Sequence, residues 1–492
     1  MGRFWGSFVT LVFISAGAML GIYLGSIIVP ATGWTDAARY GPNVLINYLH
    51  PWLTLVIPNL WMSGCLFFAL IIFTRNIKSI YSGGIVIFIG YLLANFFSQD
   101  IENKNLVQLL DPFALNSFDL QVRYLTPFEQ NNSLVDVSGM LLLNRILWVM
   151  VGLLFFAAAY FRFSFAYFFR TSTGKVKKET TGPALLHEAG RRILSNFSGK
   201  YQWESFKALS KVEVQNITKD VYFRSILLGG IILLVVDFWI GNTYFGVSSL
   251  PATHLLMEYK GFDYSTFVFI ILVFFTGEAL HRDRSTGFAL ITDTFPVKDG
   301  VVIASKFMGM VAVCLILTTI PIVVGIIVQT LKGYFNYDLK VYLIDSYLIA
   351  LPDYLQMVML VFAIHLVANS KFAGHAVSVG VWLVLIVLRN FANFDFNLFL
   401  YTYKPEFKWS AMNGLGHFAE PLLWFNLYWS WVGIFLILFF SISYSRGVEN
   451  SFTSRLKRAK SKLNSRTSFI AYAFLVVAIA SGAYIFNSVV YV

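Results

Sequence analysis

The sequence predicts an all-α polytopic membrane protein with about 11 transmembrane helices in two repeated halves. Of its 492 residues, 57% are hydrophobic and 13% are charged, whereas about a quarter of a soluble domain is charged. Apolar stretches recur along the whole chain, and two segments, 51–98 and 345–392, match in sequence. This composition excludes a single soluble core.

Eleven apolar stretches are long enough, or nearly long enough, to cross a hydrocarbon layer, which needs about 20 helical residues. They lie near residues 5–29, 51–73, 80–98, 139–161, 222–241, 264–280, 301–330, 346–369, 372–389, 421–445 and 468–490.

The internal repeat is a series of identities or close matches that keep the same order in both halves. The matched pairs include Phe4 with Phe307, Pro58 with Pro352, Leu66 with Leu360, Ala69 with Ala363, Trp148 with Trp429 and Gly152 with Gly433. Duplicated halves are a common way to build transporters. The repeat therefore favours a transport protein.

The repeat also predicts the domain organisation. The first half occupies residues 1–161, a basic region 162–221, the second half 222–445, and a basic loop with a final helix 446–492. In the second half, two further spans and a polar stretch precede 301–330. The first half has no counterpart of these before Arg3, so we expect its N-terminal part to be missing from this chain.

Charge predicts the orientation, because Lys and Arg accumulate in cytoplasmic loops. With the N-terminus inside, most of the 37 Lys and Arg fall on the cytoplasmic side and most of the 26 Asp and Glu fall outside. The C-terminus is then extracytoplasmic. This distribution accounts for the net charge of +11 and argues against nucleic-acid binding.

Motifs for catalysis or metal binding are missing from the sequence. Cys65 and Cys314 both fall in predicted spans, so neither a disulfide framework nor a four-ligand zinc site is expected. No phosphate-binding loop of the type G-x-x-x-x-G-K-[ST] occurs, and His187-Glu188 lacks the second His of an H-E-x-x-H zinc motif. The chain is therefore predicted not to be an enzyme and to carry no cofactor of its own.

The polar stretch from Glu278 to Lys306 combines charged residues, an apolar run and a Pro stop. It predicts a short amphipathic helix along the membrane surface, ended by Pro296 and well placed to receive force from a soluble partner. The alternative is an ordinary interfacial loop. Its characteristic residues are Glu278, Arg282, Arg284, Gly287, Phe295, Pro296 and Lys306.

This pattern resembles the cytoplasmic coupling segment of ABC-2 type permeases, the membrane subunits of ATP-binding cassette exporters. In that family the segment docks in a groove of the nucleotide-binding ATPase subunit. The resemblance implies a permease of the bacterial inner membrane, with ATP and Mg²⁺ bound on the partner subunit.

Further motifs are similar to bacterial permeases in which two six-span halves are fused to a C-terminal zinc aminopeptidase. They are Asp111-Pro112-Phe113, Asn144-Arg145, Gly374-His375 and Met412-Asn413-Gly414. The resemblance implies an extracytoplasmic peptidase domain after Val492, which this chain does not contain.

The basic region 162–221 and its borders carry twelve Lys and Arg between Arg162 and Arg224. It is predicted to be a contact surface for an ATPase or for anionic lipid headgroups. The alternative is a linker that is basic only because it is cytoplasmic.

Polar residues inside predicted spans are candidates for a transport pathway, because burying them in lipid is unfavourable. Asn59 occupies the repeat position of Asp353. The alternatives are hydration at the span ends or a hydrogen bond to a neighbouring helix. The candidates are Asn59, Asp237, Asp353, His365 and His375.

Three functions remain open at this point. The first is a permease driven by a separate ATPase, and the second is a membrane anchor for an extracytoplasmic peptidase. The third is an ion-coupled secondary transporter, which the sparse buried charge disfavours.

Overall fold

The structure is a computed structural model. It describes residues 2–33, 36, 41–76, 79–97, 104–163, 198–240, 243–244, 247–248, 250–258, 260, 262–368, 370–390, 396–410, 412–444, 457, 460–461 and 466–490.

The predicted all-α polytopic fold is confirmed. Within the residues that the structure describes, ten helices are long and apolar enough to cross a membrane. The helix Ser79–Phe97 lies where the eleventh span is predicted but is not among these ten. The ten are Gly2–Ala31, Ile46–Thr74, Gly139–Arg162, Val221–Trp239, Tyr264–Ser285, Asp299–Leu331, Leu339–Val367, Lys371–Arg389, Gly416–Ser441 and Thr467–Ser488.

The chain divides into two compact units, Met1–Glu188 and Ala189–Val492. The first unit contains helices α1 to α8, with a π-helical segment, Trp52–Val56, between α2 and α3. The bounds are α1 Gly2–Ala31, α2 Ile46–Pro51, α3 Ile57–Thr74, α4 Ser79–Phe97, α5 Lys104–Leu110, α6 Leu115–Val122, α7 Pro127–Asn132 and α8 Gly139–Arg162.

The second unit contains helices α9 to α19, a π-helical segment Ile344–Ala350, and 3₁₀ turns Asn397–Phe399 and Gly416–Phe418. A two-residue antiparallel pair, β1 Thr243–Tyr244 with β2 Val247–Ser248, follows α10. The helices are α9 Gly199–Thr218, α10 Val221–Ile240, α11 Thr253–Glu258, α12 Phe262–Ser285, α13 Ala289–Thr292, α14 Asp299–Leu331, α15 Leu339–Leu343, α16 Leu351–Val367, α17 Lys371–Asn390, α18 Ala419–Ser441 and α19 Arg466–Val490.

Both units contain a π-helical segment at the same place in the repeat. Each segment leads into the helix that carries the matched proline, Pro58 in α3 and Pro352 in α16. A proline lacks the N–H that would close the preceding helical turn, and π-helical turns are rare. Their recurrence at matched positions supports the internal repeat.

The matched tryptophans also make the same contact. Trp148 in α8 donates from Nε1 to the carbonyl of Leu109 at 3.0 Å, and Trp429 in α18 donates to the carbonyl of Tyr403 at 2.8 Å. In each unit the indole therefore fastens a spanning helix to the polypeptide that precedes it.

In the second unit, α9 and α10 follow one another alongside α14. Gly309 of α14 permits the close approach of α9, because a Cβ there would lie 3.0 Å from Cβ of Glu213. At the far end, Nζ of Lys332 donates to the carbonyl of Trp239 at 2.6 Å. Residues 199–218, predicted as part of a linker, thus form a helix packed on a candidate membrane span.

A close contact between α14 and α15 tests this packing. A Cβ on Gly325 would lie 2.4 Å from Oη and 2.9 Å from Cε1 of Tyr342, whose buried hydroxyl donates to Oε1 of Gln329 at 2.8 Å. We expect Gly325→Ala to destabilise the protein by about 2 kcal/mol, the usual effect of overpacking. Thermal unfolding in detergent measures it.

Gly380→Ala in α17 is the control, because nothing lies within 4 Å of the added Cβ. It removes a helix-interior glycine and should be neutral or slightly stabilising. Equal melting temperatures for the two variants would contradict the predicted clash.

Candidate functional site

The polar stretch predicted as a coupling segment is the connection between α12 and α14, residues 286–298. Gly287 has φ +74°, a backbone conformation that glycine adopts without steric penalty. The helix α13 spans only Ala289–Thr292. It is shorter than predicted, and Pro296 lies beyond its end, where the chain turns into α14.

The connection presents four apolar side chains to its surroundings. Phe288 is 51% exposed, Leu290 68%, Ile291 56% and Phe295 49%. These residues lie between the candidate spans Tyr264–Ser285 and Asp299–Leu331. We call Phe288, Leu290, Ile291 and Phe295 the apolar tip.

Gln202 of α9 holds the connection through its backbone. Its Nε2 donates to the carbonyl of Pro296 at 3.3 Å, and its Oε1 accepts from the N–H of Lys298 at 3.0 Å. Both ends of one buried amide are thus used to fix the chain just before α14 begins.

Four charged side chains meet where α9, α12 and α14 pack together. Nζ of Lys306 lies 3.1 Å from Oε1 of Glu213 and 2.7 Å from Oδ2 of Asp283. Arg282 pairs with the other oxygen of Glu213. We call Glu213, Arg282, Asp283 and Lys306 the charged junction; two acids and two bases make it formally neutral.

The Lys306 side chain is only 3% exposed, and its Nζ also donates to the carbonyl of Ala279 at 2.7 Å. A buried ammonium without partners would be very unfavourable. Two carboxylates and a carbonyl together satisfy its three donors, so α14 is tied to both α9 and α12 at this point.

A further ion pair joins α12 to α17. Nζ of Lys371 lies 3.0 Å from Oε2 of Glu278, whose side chain is 7% exposed. We call one end of the second unit the Glu278 end. It is formed by the C-terminus of α12 and the N-termini of α14 and α17. Ion pairs thus connect α9, α12, α14 and α17 there.

A cavity of about 220 Å³ lies beside the charged junction, between α9, the connection and the end of α12. Tyr201, Glu213, Arg284, Phe295, Lys306 and Tyr444 are among the residues that line it. The guanidinium of Arg284 lies 6.0 Å from the ring centroid of Tyr444. Phe295 of the apolar tip therefore borders a partly polar cavity.

The predicted coupling residues lie in the C-terminal part of α12, the connection and the beginning of α14. Glu278, Arg282 and Lys306 are in ion pairs, and Pro296 accepts the hydrogen bond from Gln202. The sequence prediction missed the partners Gln202, Glu213 and Asp283. The signal for the two on α9 is helical spacing: Gln202, Ser210, Glu213 and Ile217 all fall on its buried face, so three polar residues point inward.

The pathway candidate Asn59 lies in the first unit and contacts a buried arginine. Nη1 of Arg145 donates to Oδ1 of Asn59 at 2.8 Å, and Nη2 donates to Oδ1 of Asn144 at 2.6 Å. Arg145 is 6% exposed. Asn59 therefore serves as an acceptor in a polar network between α3 and α8.

Asp353, at the matched position of the second unit, makes the corresponding contact with different residues. Its carboxylate and the amide oxygen of Asn426 both accept from Nζ of Lys404. Asn426 in turn stands at the repeat position of Arg145. The cation that contacts the matched residue therefore lies on the spanning helix α8 in the first unit and on the loop before α18 in the second unit.

Burial lowers the pKa of Lys404 to about 7, while the adjacent Asp353 carboxylate favours its charged form.

Asp353 also borders two neighbouring cavities, of about 310 and 500 Å³. The smaller one is lined in part by His254, Glu258, Asp345, Tyr354 and Trp409.

The other pathway candidates lie elsewhere. Asp237 is half-buried near the C-terminal end of α10 and lines none of the three cavities. His365 and His375 lie at the Glu278 end, with ring centroids 5.0 Å apart. Within the described ranges, no group of three or more His, Cys, Asp or Glu is arranged to hold a metal ion.

Removing one member of the charged junction should leave unbalanced buried charge. We expect Glu213→Gln to destabilise the second unit by about 3 kcal/mol, because Arg282 then loses the Glu213 carboxylate and Lys306 keeps only that of Asp283. Combining it with Lys306→Met restores neutrality and should recover part of that loss. Thermal unfolding in detergent compares the variants.

The control variants are Glu204→Gln, alone and combined with Lys207→Met. This pair also lies on α9, 2.9 Å apart, with side chains 58% and 51% exposed. An exposed pair contributes less than about 1 kcal/mol. A Glu213→Gln variant as stable as the Glu204→Gln control would show that the junction does not hold the helices together.

No protein-family model matches this chain, and neither the curated proteins nor the solved structures contain a match. Its candidate functional residues are therefore argued from their own contacts.

Proposed function

We propose that the chain is the membrane-spanning permease subunit of an ATP-binding cassette transporter of the ABC-2 type. It would move a substrate across the bacterial inner membrane, using ATP and Mg²⁺ bound to a separate ATPase. One observation carries the proposal: an exposed apolar tip is attached to the spanning helices beside a set of paired charges centred on the buried Lys306.

The apolar tip has the features of a protein-binding surface. Large apolar side chains often serve as anchors in protein interfaces, and a cluster of them in the open indicates an interaction site. Contact with lipid tails accounts for exposed apolar residues on the spans. Residues 286–298 lie between two candidate spans rather than within one.

The attachment of the tip suits it for transmitting movement. Gln202 holds the backbone at Pro296 and Lys298, and the charged junction fixes α9, α12 and α14 to one another. A partner that displaces the tip must therefore displace three packed helices together. Densely packed elements respond as units rather than by continuous deformation.

ATP binding by the partner would thus be converted into a shift of the helices that follow the connection. The permease itself would contribute binding and movement, and the chemistry would stay on the ATPase. A passive membrane anchor would not require an apolar tip attached to three packed helices.

Truncating the tip should weaken the ATPase interaction without unfolding the protein. We expect Phe295→Ala with Leu290→Ala to reduce the affinity for the ATPase at least tenfold, which corresponds to about 1.4 kcal/mol. The ATPase-stimulating effect of the permease should fall with it. Titration of the purified ATPase with permease in lipid nanodiscs measures both.

Phe399→Ala is the matched control, since Phe399 is 63% exposed and belongs to the 3₁₀ turn Asn397–Phe399, which precedes α18. It should leave affinity and stimulation unchanged. Unchanged binding in the tip variant, with its melting temperature intact, would contradict the proposed docking surface.

A photocrosslinking residue placed at Phe295 identifies the partner directly. In native membranes, we expect it to capture a protein that mass spectrometry identifies as an ATPase with a phosphate-binding loop, and the same residue at Phe399 should not. Capture of that ATPase from both positions, or from neither, would contradict the proposal.

A further inference from the structure

Three histidines from three helices meet at the Glu278 end of the second unit. The ring centroids of His281 in α12 and His365 in α16 are 5.3 Å apart, and those of His365 and His375 in α17 are 5.0 Å apart. His365 is 2% exposed and His281 8%. The cluster lies beside the charged junction but does not belong to it.

Two glycines make the space that the imidazoles occupy. A Cβ on Gly277 would lie 2.3 Å from Cε1 of His375 and 2.7 Å from Cε1 of His365, and one on Gly374 would lie 2.1 Å from Nδ1 of His365. The rings therefore pack directly against the backbone of α12 and α17. Any repulsion between the rings acts on the helices themselves.

The central ring is unusual for a buried polar group. Neither nitrogen of His365 makes a hydrogen bond with any residue that the structure describes, although buried polar groups are nearly always hydrogen-bonded. If the His365 position served only for packing, an apolar side chain of similar size would fill it equally well. An imidazole packed here is neutral, but unlike an apolar side chain it can accept a proton near neutral pH once the helices separate and water reaches it.

The charged groups around the cluster decide what protonation would do. Glu278 of α12 is already paired with Lys371 of α17 at 3.0 Å. Further along, Arg282 and Asp283 of α12 and Lys306 of α14 are engaged in the charged junction with Glu213 of α9. An imidazolium must therefore compete with Lys371 for Glu278, and two imidazolium rings about 5 Å apart repel each other.

We propose that His281, His365 and His375 form a proton-sensitive latch, which holds the ends of α12, α16 and α17 together when neutral and releases them when protonated. Acidification on the side of the membrane that the Glu278 end faces would loosen the Glu278 contact with Lys371 first. The latch does not depend on the proposed ATPase partner, because every group in it belongs to this chain.

The latch predicts a specific pH profile of stability. Neutral packing requires the folded protein to bind fewer protons than the unfolded chain below about pH 6.5, so stability falls as the pH is lowered. We expect the melting temperature of the full chain in detergent to fall between about pH 7.5 and 5.5, and His365→Gln with His375→Gln to reduce that fall by at least about 3 °C.

His417→Gln is the control, since His417 is exposed and lies outside the cluster. It should keep the pH profile of the unmodified protein. A histidine that only fills space would change the melting temperature equally at every pH, so parallel profiles for the unmodified protein and the double variant would overturn the latch. If the double variant does not fold, the single variant His281→Gln provides the same comparison.

Release of α17 can be measured separately. Ser378 is 3% exposed and lies one turn beyond Gly374, so Ser378→Cys reports opening through reaction with a maleimide. We expect labelling, normalised at each pH to the denatured protein, to be about tenfold faster near pH 5.5 than near pH 7.5. His365→Gln should abolish the difference. Equal normalised rates at the two pH values would overturn the proposed release.

Discussion

The ammonium of Lys306 is the constraint on which the second unit depends. Its side chain is 3% exposed, and an ion taken out of water is tolerated only with opposite charge and well-placed acceptors. Glu213 from α9, Asp283 from α12 and the Ala279 carbonyl provide these. The positions of three helices are therefore fixed by one side chain, and the connection between two of them is held in place as a result.

Much of the fold follows from composition and periodicity. The apolar stretches specify membrane spans because most of them reach the length of about 20 residues that the hydrocarbon layer requires. The repeat is visible in the matched prolines Pro58 and Pro352, and each of them follows a π-helical segment in the structure. The length of α13 was not predictable in the same way. Its four residues are set by Gly287 and by the anchoring of Pro296, and the latter depends on a glutamine more than ninety positions away in the sequence.

The candidate site was only half predictable for a related reason. Arg282 and Lys306 stand out as charges beside apolar spans, but their partner Glu213 lies in a region whose basic character conceals it. Likewise, Asn59 and Asp353 can be paired by repeat position, whereas their cations cannot, because Arg145 is on a helix and Lys404 on a loop. Long-range pairing of charges is a property of the folded chain.

Gln202 makes its two hydrogen bonds to the connection with backbone groups, the carbonyl of Pro296 and the N–H of Lys298. These hydrogen bonds do not depend on which side chains the connection carries, except that residue 298 must keep its backbone N–H and so cannot be proline. The four apolar side chains of the tip can therefore diverge while their mounting stays the same. A lineage of such proteins would be free to change partners by mutation of the tip, without rebuilding the helices that respond to it.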